Sequence, residues 1–240
     1  MPLDSSQNRA KWNELYSRVD TDNRNPAEID SVPHPRNWER IGPPASWISP
    51  SDVRVLDMGC GNGSRLGGLV QLYPISAIGF DVSDHAIQVG RSKIEEYGLA
   101  ERMSLYRHSL HDEWEFPHET QQFDLIYSIQ AMQFSTHSQI EPLMAKVSSC
   151  IIRGGRFCFL VRSTSRSVPS SYEQIPGELN TYLSNEPHEK GMVYHHYSEA
   201  DVHMMAGILR GRIEFMREAK ATRSYDPHPN RAWWEVVIRC

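Results

Sequence analysis

The sequence predicts an α/β protein, a doubly wound, mostly parallel sheet with helices on both faces. Three observations carry this. Short apolar runs alternate with helical periodicity from Val53 to Val161. Three glycines, Gly59, Gly61 and Gly63, stand directly behind the first apolar run. Two further runs, Ile213 to Phe215 and Trp233 to Ile238, read as late strands and bring the number of strands to seven.

The elements follow in chain order. Trp12, Leu15 and Tyr16 fall at i, i+3 and i+4 and share one face of a short helix. Residues 20–36 are rich in Asp, Asn and Pro and read as loop; Trp38 and Ile41 lie in a second short segment ended by Pro43-Pro44. Residues 1–50 are thus an N-terminal helical extension, and residues 51–240 form the main domain. Val53 to Leu56 is a buried strand, followed by a helix carrying Leu66, Leu69 and Val70. Ser76 to Phe80 is the second strand, and Ser83 can cap the helix that presents Ile87, Gly90, Ile94 and Tyr97 on one side. Met103 to Tyr106 and Phe123 to Tyr127 are the third and fourth strands. Thr136 and Gln139 have capping-box spacing before a helix with Ile140, Leu143, Met144, Val147 and Ile151 on its apolar face. Gly154-Gly155 turns into a fifth strand, Phe157 to Val161. Residues 162–197 form a long, mostly polar connection, the usual form of a binding loop or lid. Ser198 and Asp201 then give another capping spacing before a helix with Val202, Met205, Ala206 and Leu209 inward.

Composition narrows the function. A chain of 240 residues is long enough for one α/β domain with a large core. The net charge of −5 and a pI near 6, with acidic and basic residues interspersed, give no reason to expect nucleic acid or an anionic membrane as partner. No apolar run reaches a membrane span, and the polar start is not that of a signal peptide. Cys60, Cys150, Cys158 and Cys240 are spaced neither as a zinc motif nor as a disulfide framework, so a reducing cytoplasm is expected.

In a parallel sheet, ligands bind outside the carboxyl ends of the strands, which directs attention to residues 57–64, 81–83, 108–111 and 128–134. Val55 to Ser64 reads as a strand ending at Asp57, a glycine turn and a helix start. Glycines let main chain approach a ligand, and the N–H groups opening a helix can bind an anion. A tight turn without ligand fits the same residues. Asp81 ends the second strand about 20 residues beyond the glycines, where a carboxylate can accept from both ribose hydroxyls. Asp81 could also be a helix-capping or turn residue, although Ser83 and Asp84 can fill that role without it. A dinucleotide fingerprint is not met, because Ser64 stands where its third glycine would fall.

At this point the sequence resembles the class I S-adenosylmethionine-dependent methyltransferases. Their first motif, an apolar strand followed by D-x-G-x-G-x-G, is matched by Val55 to Gly63; Asp81 matches their ribose-binding acid. Phe123 to Ser128 is similar to their fourth-strand motif, and Ile152 to Phe157 to their turn into the fifth strand, with Arg153 in place of the usual proline. The resemblance covers roughly residues 50–162. It implies a seven-stranded sheet with an antiparallel last strand, and S-adenosyl-L-methionine as cofactor. It places Gly59, Cys60 and Gly61 along the methionine part with Asp57 near its amino group. Asp81 would hold the ribose, with Val82, Ser109 and Leu110 around adenine. Ser128 and Ile129 would approach from the fourth strand. Trp12-x-x-x-Tyr16 is similar to the segment that forms an aromatic lid in many small-molecule members, so Tyr16 is expected over the cofactor; simple packing of an amphipathic helix is the alternative.

On the acceptor side, Gln130, Gln133 and Phe134 follow the fourth strand and suit a small polar acceptor. Gln130 could equally be a cofactor or loop contact. The long connection contributes Tyr172, Tyr194, His195 and His196, and either histidine could serve as a base near neutral pH or as a packing residue. Gln130, Tyr194 and His195 are the catalytic candidates; Gln133, Phe134, Tyr172 and His196 are the substrate-binding ones. His195-His196 has no partner at metal-ligand spacing, so no metal is expected. The D/N-P-P-Y signature of amide and base methylation is absent; Ser128-Ile129-Gln130-Ala131 stands there, which favours a small-molecule acceptor methylated on O or N. Attack at another carbon of the sulfonium (aminocarboxypropyl transfer, or cyclisation releasing methylthioadenosine) and a non-catalytic binding role on the same fold remain open. The molecule is expected to be a monomer or homodimer.

Overall fold

Strand β1 (Val53–Met58) alternates its side chains between two apolar clusters: Leu56 and Met58 on one face, Val53 and Val55 on the other. Strand β2 (Ile75–Asp81) does the same with Ile78 and Phe80 against Ile75 and Ala77. A strand buried on both faces needs a covering layer on each side. The computed structural model, which describes residues 5–21, 53–116, 121–221 and 231–240, supplies both layers. Helices α2 (Ser64–Leu72) and α3 (Asp84–Glu96) cover one face with Leu66, Leu69, Val70, Ile87 and Ile94. Helices α4 (Ile140–Cys150) and α5 (Glu199–Ile208) cover the other with Leu143, Met144, Val147, Val202 and Met205. Each fully buried aliphatic or aromatic side chain adds roughly 1.5–3 kcal/mol, and these two layers bury both faces of the sheet.

The remaining sheet strands are β3 (Met103–Arg107), β4 (Phe123–Ile129), β5 (Ile151–Arg162), β9 (Arg212–Ala221) and β10 (Arg231–Arg239). Their order is β3-β2-β1-β4-β5-β10-β9 in one seven-stranded sheet. The pairings from β3 through β5 are parallel, and β10 runs antiparallel to both β5 and β9. The chain order reverses between β1 and β4, so the carboxyl ends of β1 and β4 flank the crevice where ligands bind in open α/β sheets.

Two expectations are revised. The fifth strand is longer than Phe157 to Val161 and takes in the Gly154-Gly155 turn and Arg162. The connection of residues 162–197 is not a plain loop. It carries a three-stranded antiparallel sheet of β6 (Tyr172–Gln174), β7 (Thr181–Ser184) and β8 (Val193–His195). A bridge between Ser163 and Tyr197 brings its two ends together, so the excursion leaves and returns at one point on the main sheet. The polar composition that reads as loop in fact satisfies this sheet internally, with Thr181 and Ser184 fully buried. The Ser198–Asp201 capping box forms as the spacing predicts and opens α5.

Helix α1 (Ser5–Thr21) is the described part of the N-terminal extension. Asn13 anchors it to the start of α3: its Oδ1 accepts from the Ser83 hydroxyl at 2.8 Å and the His85 N–H at 3.2 Å. The expected segment with Trp38, Ile41 and Pro43-Pro44 lies outside the described residues. Among the described residues no helix is long and apolar enough to cross a membrane.

Candidate active site

The turn after β1 is fixed by main-chain bonds. The N–H groups of Gly59 and Cys60 both donate to the Phe80 carbonyl, at 2.8 and 2.9 Å. Gly59 has φ 77°, and a Cβ there would stand 2.2 Å from the Ala131 Cβ, so only glycine fits between the turn and the segment after β4. Gly61 has φ 59°, and a Cβ there would meet the Tyr16 hydroxyl at 2.5 Å. Helix α1 therefore closes directly over the glycine turn.

Asp81 ends β2 and locks this turn to the next. Its carboxylate accepts from the Gly61 N–H and the Ser83 N–H, each at 2.9 Å. Burial raises its pKa, and the donors from Ser83, Gly61 and Val82 oppose that rise. A carboxylate has about four acceptor sites, so capacity remains for ligand hydroxyls. Asp57 lies behind the turn and is also buried. Desolvation pushes its carboxyl up to about 7, although Arg65 and the Tyr127 hydroxyl both favour the charged form.

A cavity of about 440 Å³ opens over these groups. One wall holds Gly59, Asp81, Val82, Ser109 and Leu110, with Tyr16 as roof. The other holds Ile129, Gln130, Gln133, Phe134 and Tyr194. Gln130 has φ 60°, a left-handed conformation uncommon outside glycine, and its N–H donates to Leu160 O at 2.8 Å. Gln133 is buried, and among the described residues its Oε1 has no hydrogen-bond partner. Trp12 packs edge-on against Phe134 at 4.7 Å between ring centroids, so α1 roofs both walls. Burial holds the Tyr194 hydroxyl well above its ordinary pKa, so at neutral pH it is a hydrogen-bond donor and not a base.

Several expected residues stand elsewhere. Cys60 turns its thiol toward Gly79 and away from the cavity. The Ser128 hydroxyl donates to Met58 O at 2.9 Å and ties β4 to β1, fully buried. His195 was expected beside the reacting atoms but has no exposed surface; its Nδ1 lies 2.9 Å from Thr181 Oγ1 and its Nε2 3.6 Å from Asp201. The physical reason is strand alternation. Tyr194 faces the cavity, so its neighbour on β8 faces the opposite way. His196 packs its ring on Tyr182, and burial with the nearby Arg162 and Arg166 lowers its pKa to about 3. His137 and Asp201, distant in sequence, gather around His195, a grouping that sequence spacing does not reveal. Tyr172 lines a second, adjoining cavity and donates to Glu189 at 2.7 Å.

The structure adds residues that spacing alone does not single out. Asn13, described above, is one. His108 and His111 line the cavity; burial, with Lys146 nearby, lowers His111 to about 4, so it is neutral at physiological pH. Arg162, Glu189 and Met192 also face it. Arg162 ends β5, and the rule that ligands bind at the carboxyl ends of strands is the signal that could have found it.

Comparison with known proteins agrees with this geometry. Residues 55–155 match the family model of the methyltransferase domain. The release factor glutamine methyltransferase of Gloeobacter violaceus is 30% identical over 130 residues, 53% of this chain and 42% of that protein. The chain thus spans less than half the length of this curated relative. Among solved structures, an S-adenosylmethionine-dependent methyltransferase from Methanosarcina mazei superposes with a TM-score of 0.65 at 15% identity, over 81% of this chain and 95% of that one. Magnesium protoporphyrin IX methyltransferase from Synechocystis, solved with S-adenosylmethionine bound, superposes with a TM-score of 0.64 at 16% identity, over 100% of this chain and 99% of that one. The strand order, the glycine turn with Asp81 and the match over residues 55–155 make this chain similar to the S-adenosylmethionine-dependent methyltransferases, whose fold it shares.

Proposed function

We propose that the protein is an enzyme that methylates a small-molecule acceptor, on oxygen or nitrogen, with S-adenosyl-L-methionine as donor. One observation carries the reading: the wall of Gly59 and Asp81 and the wall of Gln130, Gln133 and Tyr194 face one another across a single cavity. That volume falls within the range of small-molecule sites. The residues also fit the cofactor. Gly59 leaves room for a ligand against main chain, Asp81 retains acceptor capacity for ribose hydroxyls, and Val82 and Leu110 offer apolar contact for adenine. Asp57 sits where an ammonium group would favour its charged form, and Tyr16 lies above as part of an α1 lid.

The cofactor supplies a methyl group already activated by positive sulfur. What remains for the chain is position and exclusion of water, and bringing reacting atoms to ~3–3.5 Å is a large part of such catalysis. Gln130 is held by its left-handed backbone at the end of β4, and Gln133 offers a buried acceptor to an O–H or N–H of the second substrate. Tyr194 stays protonated and can hold the acceptor's lone pair in line. His195 takes no part in this scheme. A cytoplasmic setting is part of the proposal.

Calorimetric titration with S-adenosyl-L-methionine, followed by mass spectrometry of the spent cofactor after incubation with small hydroxylated and amino acceptors, tests the reading. Binding by the wild type, its loss in Asp81→Ala, and S-adenosylhomocysteine as product are expected. Failure of the wild type to bind would overturn it, and methylthioadenosine as product would assign a different reaction to the same site.

A further inference from the structure

We propose that Arg162 anchors an anionic group of the acceptor, so that the acceptor is a carboxylate- or phosphate-bearing molecule; this rests on the methyl-transfer reading above. Arg162 is the last residue of β5 and is half-buried. It lines both the main cavity and the adjoining cavity of about 370 Å³, as do Gln130, Gln133 and Glu189. Its guanidinium carbon lies 3.8 Å from the centroid of the Tyr194 ring, a stacking contact that fixes the plane of the fork.

Three other arginines set the contrast. Arg54 faces Asp124 at 3.8 Å, Arg156 faces Glu214 at 2.8 Å, and Arg217 is bonded to Glu235. Among the described residues, no carboxylate lies within ion-pair distance of Arg162. The nearby Glu189 accepts instead from the Tyr172 hydroxyl, and Glu186 from the Ser171 hydroxyl. A guanidinium drawn partly out of water calls for an anion, and its planar fork matches a carboxylate or phosphate with two parallel bonds. The second cavity carries Arg166 and Arg231 beside Arg162, together with Glu186 and Glu189.

The same wall holds the Oε1 of Gln133, which has no partner among the described residues and suits a donor on the ligand. Trp12, Phe134 and Tyr194 provide an aromatic surface beside it. An acceptor that satisfies all three has an apolar body, an O–H or N–H donor, and an anionic end. The anion sits toward the second cavity, which leaves the rest of the molecule in the main cavity beside Gln130.

Matched probes test this on the full chain saturated with S-adenosylhomocysteine. Calorimetric titration with 4-hydroxybenzoate and with 4-hydroxybenzamide isolates the charge, and phenyl phosphate separates a phosphate preference from a carboxylate one. The wild type is expected to bind one of the acids at least about tenfold more tightly than the amide, in line with a bidentate charge-assisted pair. Arg162→Gln is expected to erase that gap to within about twofold while amide binding and S-adenosylhomocysteine affinity stay put. Arg162→Lys, which keeps the charge and loses the fork, is expected to fall between the two. Equal binding of acid and amide by the wild type, no binding of either acid, or an equal loss of acid and amide in both variants would overturn the proposal. Failure to bind S-adenosylhomocysteine at the outset would instead strike the methyl-transfer reading itself.

Discussion

On the β1–β2 wall of the cavity, the deciding groups are main-chain atoms and one carboxylate: the Gly59 and Cys60 N–H groups on Phe80 O, and Asp81 across Gly61 and Ser83. On the β4–β5 wall, the deciding groups are side chains that converge from separate segments: Gln130 and Gln133, Arg162, and Glu189 with Tyr194. Main chain at a strand end has few ways to go, so the first wall is determined by the glycine turn after β1 and the end of β2. The second depends on which way each strand end points its side chains and on how the three-stranded insertion folds back. A cofactor shared across a superfamily suits the first construction, and an acceptor particular to one protein suits the second.

The comparison can be broken most sharply at Gly59. Gly59→Ala is expected to weaken S-adenosylhomocysteine at least about 100-fold, about 2.7 kcal/mol, because the new Cβ would collide with Ala131. Adding Ala131→Gly should recover part of this and leave the strain of a left-handed alanine, roughly 1–2 kcal/mol. Calorimetry that finds Gly59→Ala within threefold of wild type would remove the main-chain account of this wall.

Asp201→Asn probes the opposite wall through its support. Burial raises the Asp201 carboxyl, but His195 and Ser198 outweigh that effect and hold it at about 2 against an ordinary 3.8. A depressed pKa contributes stability that is present above about 4 and lost as pH falls through about 2. Its full value is about 2 kcal/mol. Urea denaturation of Asp201→Asn at pH 7 should show a loss of that size, with S-adenosylhomocysteine affinity unchanged. A loss of cofactor affinity would mean that the walls are not independent.

Asp57 tests the first wall by pH. Its folded pKa of about 7 means that the free protein carries a proton there below neutrality. A bound ammonium group favours the carboxylate, so affinity should rise through pH 7 and fall up to about tenfold per unit on the acid side. A flat affinity from about pH 5.5 to about 8 speaks against contact with Asp57. The smallest effect is expected for Tyr16→Phe, about threefold weaker binding, in keeping with the loss of one hydroxyl at the roof. An effect above about 30-fold would make the roof a principal contact and not a cover.

The legibility of the two walls in the sequence differs for the same reason as their construction. Asp57 to Gly63, Asp81 and the strand–helix alternation are local patterns with a physical cause, and the sheet order and glycine turn follow them. Cys60 and Ser128 sit at the anticipated positions, but their side chains turn inward, which spacing does not encode. On the other wall, Tyr194 and His195 are adjacent, and the sequence carries no mark of which faces the cavity until the neighbouring strands of the insertion are known. Arg162 stands where an apolar strand passes into a Ser-rich polar stretch. The strand-end rule applies to it as it does to Asp81, but no motif draws the eye there.

The backbone of Gln130 carries a cost of its own. A left-handed non-glycine residue gives up roughly 1 kcal/mol of stability, and glycine at that position would recover it. Selection for heat resistance alone would therefore be drawn to Gln130→Gly early, because the change removes strain without creating a cavity in the core. The same change would strip the amide from the mouth shared by both cavities. At this strand end robustness and turnover pull in opposite directions, and the chain has kept the side chain.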